Sequence, residues 1–338
     1  MIKEAINILV HGKDLSEHKM IGAMKDIMEG NATDAQIASF LTALRIKGET
    51  VEEITGAARV MREKVTKIKA PAFTVDTCGT GGDMSHTFNI STTSAFVVAA
   101  CGAPVAKHGN RSVSSKCGSA DVLEALGIKI DLAPHLVEKC LAATGFGFMF
   151  APLFHPAMKY AIGPRREIGV RTIFNILGPL TNPAGAERQL MGVFHDELTE
   201  KLAGVLANLG VKHALVVHGE DGLDEITITD RTKVSELKDG VVSTYFISPE
   251  DFGFKRAQKK DLAGGTAPDN AKMTVAILQG EKGPKRDIVI LNAAAALTAG
   301  GKMCNLSEGI KTATDAVDSG AALRKLSEIR ELSNTLTC

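Results

Sequence analysis

From residue 73 to residue 218, short strand-like segments alternate with segments of helical periodicity. Most predicted strands lead through a loop into a helix and not into a tight hairpin that returns beside them. This order predicts an α/β fold with a mostly parallel sheet flanked by helices. The predicted strands are 73–77, 104–107, 128–131, 146–150, 189–195 and 213–218, and the predicted helices are 90–100, 120–126, 134–143 and 197–209.

The N-terminal and C-terminal parts of the chain show different sequence patterns. The first 65 or so residues read as successive amphipathic helices, two of which begin with capping-box patterns at Thr33-Asp-Ala-Gln36 and Thr50-Val-Glu-Glu53. The C-terminal part predicts a hairpin over 233–248 that turns at Asp239-Gly240, then helices at 270–278, 286–299 and 306–332. We therefore expect a small helical domain over 1–70, joined by residues near 160–183, and an α/β domain over 71–159 and 184–338.

The charge balance gives no support for a nucleic-acid or membrane partner. Among 338 residues, 39 Lys and Arg balance 39 Asp and Glu, so no net field attracts a polyanion. Trp is absent and Tyr occurs twice, which is too few for a stacking surface. The six Cys lack zinc spacing, and the N-terminus lacks an apolar signal core. We expect a cytoplasmic protein with neither kind of partner.

A glycine-rich segment follows the first predicted strand. Asp76-Thr-Cys-Gly79-Thr-Gly81-Gly82-Asp83 precedes the helix that carries Asn89-Ile-Ser91-Thr92. Clustered glycines let a ligand approach backbone amides, and a helix N-terminus favours phosphate. Met84 is incompatible with a dinucleotide fingerprint, and the Gly-Lys-Ser/Thr of a Walker A loop is absent. The segment predicts a phosphate site, with an ordinary tight turn as the alternative.

Three further segments carry charge that suits a phosphorylated substrate. The polar, basic stretch Lys107 to Ser119 follows the next strand, where ligands of parallel sheets gather. Asp224-Glu225 follows the strand ending at His218 and could hold Mg²⁺, although such pairs are common on surfaces. Pro164-Arg165-Arg166 and Arg171 could capture a substrate carboxylate, or form an ordinary helix surface.

Taken together, these segments resemble the anthranilate phosphoribosyltransferase family of tryptophan biosynthesis. The resemblance is carried by several stretches in family order, and as a set they are highly specific. They are Gly79-Thr-Gly-Gly-Asp83, Thr87-Phe-Asn-Ile-Ser-Thr92, Lys107-His-Gly-Asn-Arg111, Gly118-Ser-Ala-Asp121, Leu123-Glu-Ala-Leu-Gly127, Arg171-Thr-Ile-Phe-Asn175, Gly178-Pro-Leu-Thr-Asn-Pro183, Val217-His-Gly and Gly222-Leu-Asp-Glu225.

The resemblance implies an enzyme that transfers the phosphoribosyl group of 5-phosphoribosyl 1-diphosphate to the amine of anthranilate. It implies a small helical domain beside a larger α/β domain, with the active site in the cleft. It also implies two Mg²⁺ ions per monomer and a homodimer joined through the helical domain. Two rival interpretations remain, namely a pyrimidine nucleoside phosphorylase and a non-catalytic nucleic-acid-binding relative on the same scaffold.

The resemblance also implies roles for individual residues. Ser91, Asp224 and Glu225 would hold the metal ions, and Gly79, Asn110 and Arg165 would bind anthranilate. Lys107, Asp224 and Glu225 would be catalytic. The residues implied to contact phosphoribosyl diphosphate are Gly79, Gly82, Asp83, Thr87, Asn89, Ile90, Ser91, Thr92, Lys107, His108, Gly109, Asn110, Arg111, Ser112, Val113, Ser114, Ser115 and Ser119.

The chain departs from the family pattern at two positions. Met84 stands where the family is expected to have Gly, and Thr227 replaces a common Ser. Neither residue is among the implied ligands, so these departures affect only details of the expected site.

Overall fold

The computed structural model describes residues 1–112 and 116–336. Its N-terminal part is a set of packed helices, as the sequence predicts. Both capping boxes are present, since the Thr33 hydroxyl accepts from Gln36 N and the Thr50 hydroxyl accepts from Glu53 N. The helices are α1 Ile2–Val10, α2 Glu17–Met28, α3 Asp34–Lys47 and α4 Val51–Lys64.

A seven-stranded sheet forms the centre of the larger part, in the order β3-β2-β1-β4-β5-β6-β7. The first five strands are parallel, and β6 and β7 form an antiparallel hairpin beside β5. The hairpin turns at Asp239-Gly240, where both residues have positive φ. The strands are β1 Val75–Gly79, β2 Val105–Gly109, β3 Phe146–Phe150, β4 Arg188–Gly192, β5 His213–Gly219, β6 Thr232–Lys238 and β7 Val241–Ile247.

Helices cover both faces of this sheet. The prediction of an α/β fold with a mostly parallel sheet and a small N-terminal helical part is confirmed. The helices are α5 Ile90–Ala100, α6 Ser119–Ala125, α7 Pro134–Thr144, α8 Ala151–Phe154, α9 Lys159–Ile168, α10 Phe174–Leu177, α11 Leu198–Asn208, α12 Ala267–Leu278, α13 Pro284–Ala299, α14 Leu306–Asp318 and α15 Ala321–Thr335.

Alternation along the strands divides the core between the two faces, because successive side chains of a strand point to opposite sides. Leu215 and Val217 belong to the apolar cluster formed with α5 and α13. Ala214 and Val216 belong to a second cluster, which contains α11, the N-terminal helices and residues 173–180. No described helix combines the length and the apolarity that crossing a lipid bilayer requires.

Two predicted elements are wrong. Residues 128–131 form no strand: Ile128 and Ile130 are buried, but the amide of Lys129 donates to Ser333 of α15 instead of joining the sheet. The predicted helix 306–332 is broken at Gly320, whose φ of 72° ends one helix and precedes the next. The first predicted strand also begins later than expected, because Phe73 has a φ of 60° that no strand residue adopts.

Candidate active site

The glycine loop leaves the carboxyl end of β1 and bends back over β4. Thr80 N donates to Gly192 O at 2.9 Å, and Phe194 N donates to the Thr80 hydroxyl at 3.1 Å. Gly81 and Gly82 have φ values of 67° and 76°, which residues with a side chain rarely adopt. The loop is therefore tied to the end of β4 and shaped by its glycines.

The two adjacent acids lie against this loop and against the first turn of α5. Asp224 Oδ2 accepts a hydrogen bond from Gly81 N at 2.8 Å, and Glu225 Oε1 accepts from Ser91 N at 3.2 Å. The sequence placed these groups more than 130 positions apart, and the fold brings them into contact. In this conformation the Gly81 amide is occupied by the carboxylate of Asp224.

Two glycines make room for Asp224. Gly79 and Gly192 are register partners at the ends of β1 and β4. A Cβ at Gly79 would lie 2.5 Å from Asp224 Oδ2, and one at Gly192 would lie 1.6 Å from Asp224 O. Both distances are shorter than van der Waals contact permits, so the acidic pair can occupy this place only because neither position has a side chain.

The site concentrates negative charge away from bulk water. Burial raises the pKa of Asp224 well above its ordinary value, and the nearby carboxylates of Asp83 and Glu225 raise it further. Burial likewise raises the pKa of Glu225 to about 7, against the opposing charge of Lys107. Asp83 Oδ2 lies 3.5 Å from Asp224 N. Ionisation of the acidic pair is therefore unfavourable in this arrangement unless a positive charge lies close by.

Lys107 lies beneath the loop and is almost fully buried. Its ammonium donates to Thr77 O and, at 3.3 Å, to the Ser91 hydroxyl. Burial lowers the pKa of Lys107, while neighbouring carboxylates oppose that shift. Lys107 therefore contacts the same serine whose amide contacts Glu225, which places its charge beside the acidic pair.

The other residues of the α5 turn surround this centre. Asn89 donates to Cys117 O at 3.1 Å and accepts from Asn270 at 2.9 Å, and the side chains of Ile90 and Thr92 are buried. Thr87 forms an isolated bridge with Ala263. These bonds connect the phosphate-site candidates to the segment before α6, to α12 and to the segment before α12.

The basic stretch after β2 is organised by one carboxylate. Asp121 accepts from Ser112 N at 3.0 Å, Gly118 N at 2.8 Å and the Arg111 guanidinium at 3.0 Å. Arg111 also pairs with Glu124 at 2.8 Å, so it is bound to acids here. Ser119 donates to the carbonyl of Asn110 at 3.3 Å and packs against Gly109. Val113, Ser114 and Ser115 lie outside the described residues.

His108 points into a buried contact and not into the loop. Its Nδ1 lies 3.3 Å from Gly178 O, and its Nε2 lies 3.1 Å from Nε2 of His155. Burial lowers the pKa of His108 to about 3 and that of His155 to about 4. Both imidazoles are therefore neutral at pH 7.

Arg165 and Arg171 are close in the sequence but have different surroundings in the structure. Arg165 on α9 is half-buried, with Cζ 5.0 Å from the ring centre of Phe174, and burial lowers its pKa. Arg171 instead donates to Gly82 O of the glycine loop. The structure thus directs Arg171 to the loop and leaves Arg165 on the helix that faces the N-terminal part.

Sequence reasoning missed two side chains that hold the acidic pair. Asn292 of α13 accepts from Ile226 N at 3.0 Å and donates to Ile226 O at 2.8 Å. Asp221 accepts from the hydroxyl of Thr227 at 2.8 Å, a bond that the serine expected there would also make. An asparagine inside the apolar helix 286–299 was the available signal, because buried polar side chains need a partner.

The comparisons with known proteins cover nearly the whole chain. Residues 72–323 match the a/b domain of the glycosyl transferase family, and residues 3–65 match the helical bundle domain of that family. Anthranilate phosphoribosyltransferase from Acetivibrio thermocellus is 59% identical over 99% of this chain and 97% of its own length. The enzyme of that name from Symbiobacterium thermophilum is 57% identical over 99% and 98% of the two chains.

Solved structures give the same correspondence. Anthranilate phosphoribosyltransferase from Thermus thermophilus superposes with a TM-score of 0.93 at 41% identity, over 98% of this chain and 99% of that one. The enzyme from Saccharomyces cerevisiae, in complex with PRPP and Mg, superposes with a TM-score of 0.90 at 27% identity, over 99% and 98% of the chains.

Proposed function

The chain belongs to the anthranilate phosphoribosyltransferase family, and we propose that its reaction takes place at the carboxyl ends of β1, β2, β4 and β5. The enzyme transfers the phosphoribosyl group of 5-phosphoribosyl 1-diphosphate to the amine of anthranilate, which gives N-(5-phosphoribosyl)anthranilate and diphosphate in tryptophan biosynthesis. One observation carries the placement: Asp224 contacts the glycine loop while Glu225 contacts the first turn of α5.

The diphosphate end of the sugar substrate belongs at the glycine loop. Gly79, Gly82 and Asp83 would approach it together with the N-terminal turn of α5, where backbone amides and the helix dipole favour an anion. The stretch that begins at Lys107 would contact the remaining phosphate, with Arg111 exchanging its bonds to Asp121 and Glu124 for bonds to the ligand. The positions of these groups around a single edge of the sheet support this assignment.

The donor set at this edge suits Mg²⁺. Ser91, Asp224 and Glu225 offer hard oxygen ligands, and the crowding of Asp224 by Asp83 and Glu225 is what a divalent ion would relieve. No three His, Cys, Asp or Glu side chains within 1–112 and 116–336 form a cage made of protein alone. That fits an ion which completes its coordination with water and substrate phosphate. The enzyme uses Mg²⁺, and we propose two ions per monomer, held by these three residues.

The chain's own residues position the reactants. The arylamine of anthranilate is neutral at pH 7, so no dedicated base is needed to create the nucleophile. Arg165 and Asn110 would hold the acceptor on the face of ribose opposite the diphosphate, and such positioning alone can contribute roughly 7 kcal/mol. Attack from that face inverts the anomeric carbon, with the new C–N bond replacing the bond to diphosphate.

Loss of diphosphate is the demanding part of the reaction, because a multiply charged group departs from a ribose with oxocarbenium character. Lys107 places a cationic group 3.3 Å from the Ser91 hydroxyl, beside the metal-binding acids, where charge develops. Bound Mg²⁺ would neutralise the leaving oxygens. Loop amides that become free when a cation takes over Asp224 would donate to the same group.

The helical part would close this site against water. We propose that residues 1–70 and about 160–183 move as one domain against 71–159 and 184–338. The support is that α9 packs on α2 and α3, and that Arg62 of α4 donates to Leu180 O at 2.7 Å. Water would otherwise hydrolyse the activated sugar, so closure would favour transfer to anthranilate.

We also propose a homodimer joined through the helical domain. Val10, Ile46 and Ile162 are 62%, 82% and 46% exposed, and they lie on α1, α3 and α9, of which α3 packs on the other two. Apolar side chains exposed on adjoining helices favour a protein partner. We place the enzyme in the cytoplasm, in keeping with the cysteines at 78, 101, 140 and 304, which form no disulfide.

A direct assay tests the function. The protein is mixed with anthranilate, phosphoribosyl diphosphate and Mg²⁺, and loss of anthranilate fluorescence is followed. We expect turnover by the wild-type chain and none by Asp224→Asn with Glu225→Gln, although the doubly substituted protein should keep its circular dichroism spectrum. Equal turnover by both proteins would refute the metal assignment. Phosphate-dependent cleavage of thymidine without loss of anthranilate would instead indicate the phosphorylase.

A further inference from the structure

Arg171 contacts the glycine loop, and the proposed reaction assigns no role to this contact. It follows Gly169, whose φ of 62° ends α9, and it precedes the turn in which Thr172 N donates to Asn175 Oδ1 at 2.9 Å. Arg171 therefore lies in a short connection whose backbone is ordered on both sides. Its side chain extends to the glycine loop, 89 positions away in sequence.

The guanidinium of Arg171 contacts Gly82 in two ways. Its Nη2 donates to Gly82 O. A Cβ at Gly82 would lie 2.8 Å from the same nitrogen, so the guanidinium fills the space where a side chain at position 82 would stand. Gly82 has a φ of 76°, a left-handed conformation that glycine adopts readily, and Arg171 supplies a fixed hydrogen-bond partner for its carbonyl.

Phe194 supports the guanidinium from the other side. Arg171 Cζ lies 4.5 Å from the ring centre of Phe194, within the range of a cation–π contact. The amide of Phe194 in turn donates to the hydroxyl of Thr80, at the start of the glycine loop. Arg171 and Phe194 thus hold the loop at two points, Thr80 and Gly82, on either side of the Gly81 amide that meets Asp224.

We propose that Arg171 is a positioning residue that sets the shape of the glycine loop for the diphosphate of the sugar substrate. This inference rests on the proposed function, and it departs from the alternative in which Arg171 captures the carboxylate of the acceptor. Arg171 acts through Gly82: it keeps the amides of the loop aligned with the acidic pair before the substrate arrives, and so reduces the ordering that binding requires.

Arginine suits this role better than lysine. A planar guanidinium can stack on Phe194 with its face while it donates to a carbonyl with its edge. An ammonium group can make the hydrogen bond to Gly82 O but has no face to stack. Arg171→Lys should therefore preserve part of the effect, and Arg171→Ala none.

The test measures the affinity for phosphoribosyl diphosphate by titration calorimetry with Mg²⁺ present, together with the KM for each substrate. Loss of a charged hydrogen bond predicts that Arg171→Ala weakens binding of the sugar diphosphate about tenfold or more. The KM for anthranilate should stay within about twofold, because the guanidinium contacts Gly82 and Phe194, and neither of these residues is assigned to the acceptor. The affinity of Arg171→Lys for the sugar diphosphate should lie between those of the wild type and Arg171→Ala. Millimolar guanidinium should partly restore that affinity in Arg171→Ala.

Arg188 provides a matched control. It donates to Ala299 O at 3.1 Å and stacks at 4.7 Å from the ring of Phe73, but it stands at the opposite end of β4 from the glycine loop. Arg188→Ala removes the same two kinds of contact, so it should leave the affinity for phosphoribosyl diphosphate unchanged. Phe194→Leu should weaken that affinity about threefold, as expected for loss of the stacking alone.

The outcomes separate cleanly. Unchanged affinity for the sugar diphosphate in Arg171→Ala, or a raised KM for anthranilate alone, would overturn the proposal. If Arg171→Ala does not fold, Arg171→Lys decides, since weakened binding of the sugar diphosphate by the folded lysine variant supports the role and full affinity refutes it. Calorimetry needs no turnover, so a wild-type chain that binds the sugar diphosphate without transferring it would refute the proposed reaction and leave the loop assignment testable.

Discussion

Asn292 holds both main-chain polar groups of Ile226, the residue immediately after the acidic pair. The side chain accepts from Ile226 N at 3.0 Å and donates to Ile226 O at 2.8 Å, and it is fully buried in α13. A buried amide and carbonyl in a loop need partners, and one asparagine supplies both. The backbone that presents Asp224 and Glu225 is therefore fixed to a core helix.

We expect Asn292→Ala to lower the free energy of unfolding by about 3 kcal/mol, because it leaves two buried backbone groups unpaired. It should also raise the Mg²⁺ concentration needed for half-maximal rate, since the acids lose their support. Urea titration and Mg²⁺-dependent kinetics measure the two effects. Asn208→Ala removes a long bond of 3.4 Å from an exposed residue to Thr55, and it should change stability by less than about 0.5 kcal/mol. A Mg²⁺ requirement unchanged in Asn292→Ala would contradict the proposed support.

Arg165→Ala should raise the KM for anthranilate far more than that for phosphoribosyl diphosphate. The reason is that Arg165 lies on α9, whereas the glycine loop and the acidic pair lie at the end of the sheet. Steady-state kinetics with each substrate varied in turn checks this prediction. Equal increases in the two KM values would assign Arg165 another role.

The buried histidine pair predicts a loss of stability in acid. The pKa of His155 falls from 6.5 to about 4 in the fold, so between these values the unfolded chain binds a proton that the folded chain does not. His155 therefore has almost no effect on the free energy of unfolding at pH 7. It lowers that free energy as the pH drops through 6.5 toward 4. At pH 5 the decline from His155 amounts to about 2 kcal/mol.

His155→Gln should remove this contribution, because glutamine does not titrate and can still donate to Nε2 of His108. Denaturant unfolding at pH 7 and pH 5 gives the difference for each protein. His18→Gln, at an exposed position, should keep the wild-type difference. A His155→Gln protein that loses as much stability as the wild type on acidification would disprove the linkage.

Met84 has a φ of 59° and is 78% exposed, so its side chain gains little from packing while its backbone is left-handed. Met84→Gly should raise the free energy of unfolding by about 0.5–1 kcal/mol, after the greater freedom of glycine in the unfolded chain is counted. Met84→Ala keeps a Cβ and should bring no gain. Thermal unfolding of the two variants decides, and equal melting temperatures would show that the backbone at 84 is not strained.

Local patterns predicted the strands and helices well where one period dominated. The helix Ile90–Ala100 and the strand Phe146–Phe150 have the predicted bounds, and the hairpin turns where Asp239-Gly240 indicated. Residues 128–131 alternate like a strand, yet that alternation only reports burial on one side. Here the element that covers residues 128–131 is the helix α15. Nothing in the sequence of this segment shows whether a helix or a neighbouring strand packs against it.

The components of the candidate site were visible in the sequence, but their supports were not. Asp224 and Glu225 were recognised as an acidic pair, whereas Asn292 and the contact of Arg171 with Gly82 depend on elements that meet only after folding. Such contacts between distant segments produce no periodic pattern in the local sequence. The only sign of them is a polar residue in an apolar helix, or a glycine where no turn is evident.

Gly192 shows how a position can be indispensable without meeting a substrate. Its Cα lies under the main chain of Asp224, where even a methyl group would collide with a carbonyl oxygen. A complete substitution scan should find residue 192 as intolerant as Asp224 and Glu225, with Gly192→Ala already inactive. A map of mutational sensitivity would thus mark Gly192 as part of the catalytic centre, although its contribution is only the absence of a side chain where the main chain of Asp224 passes.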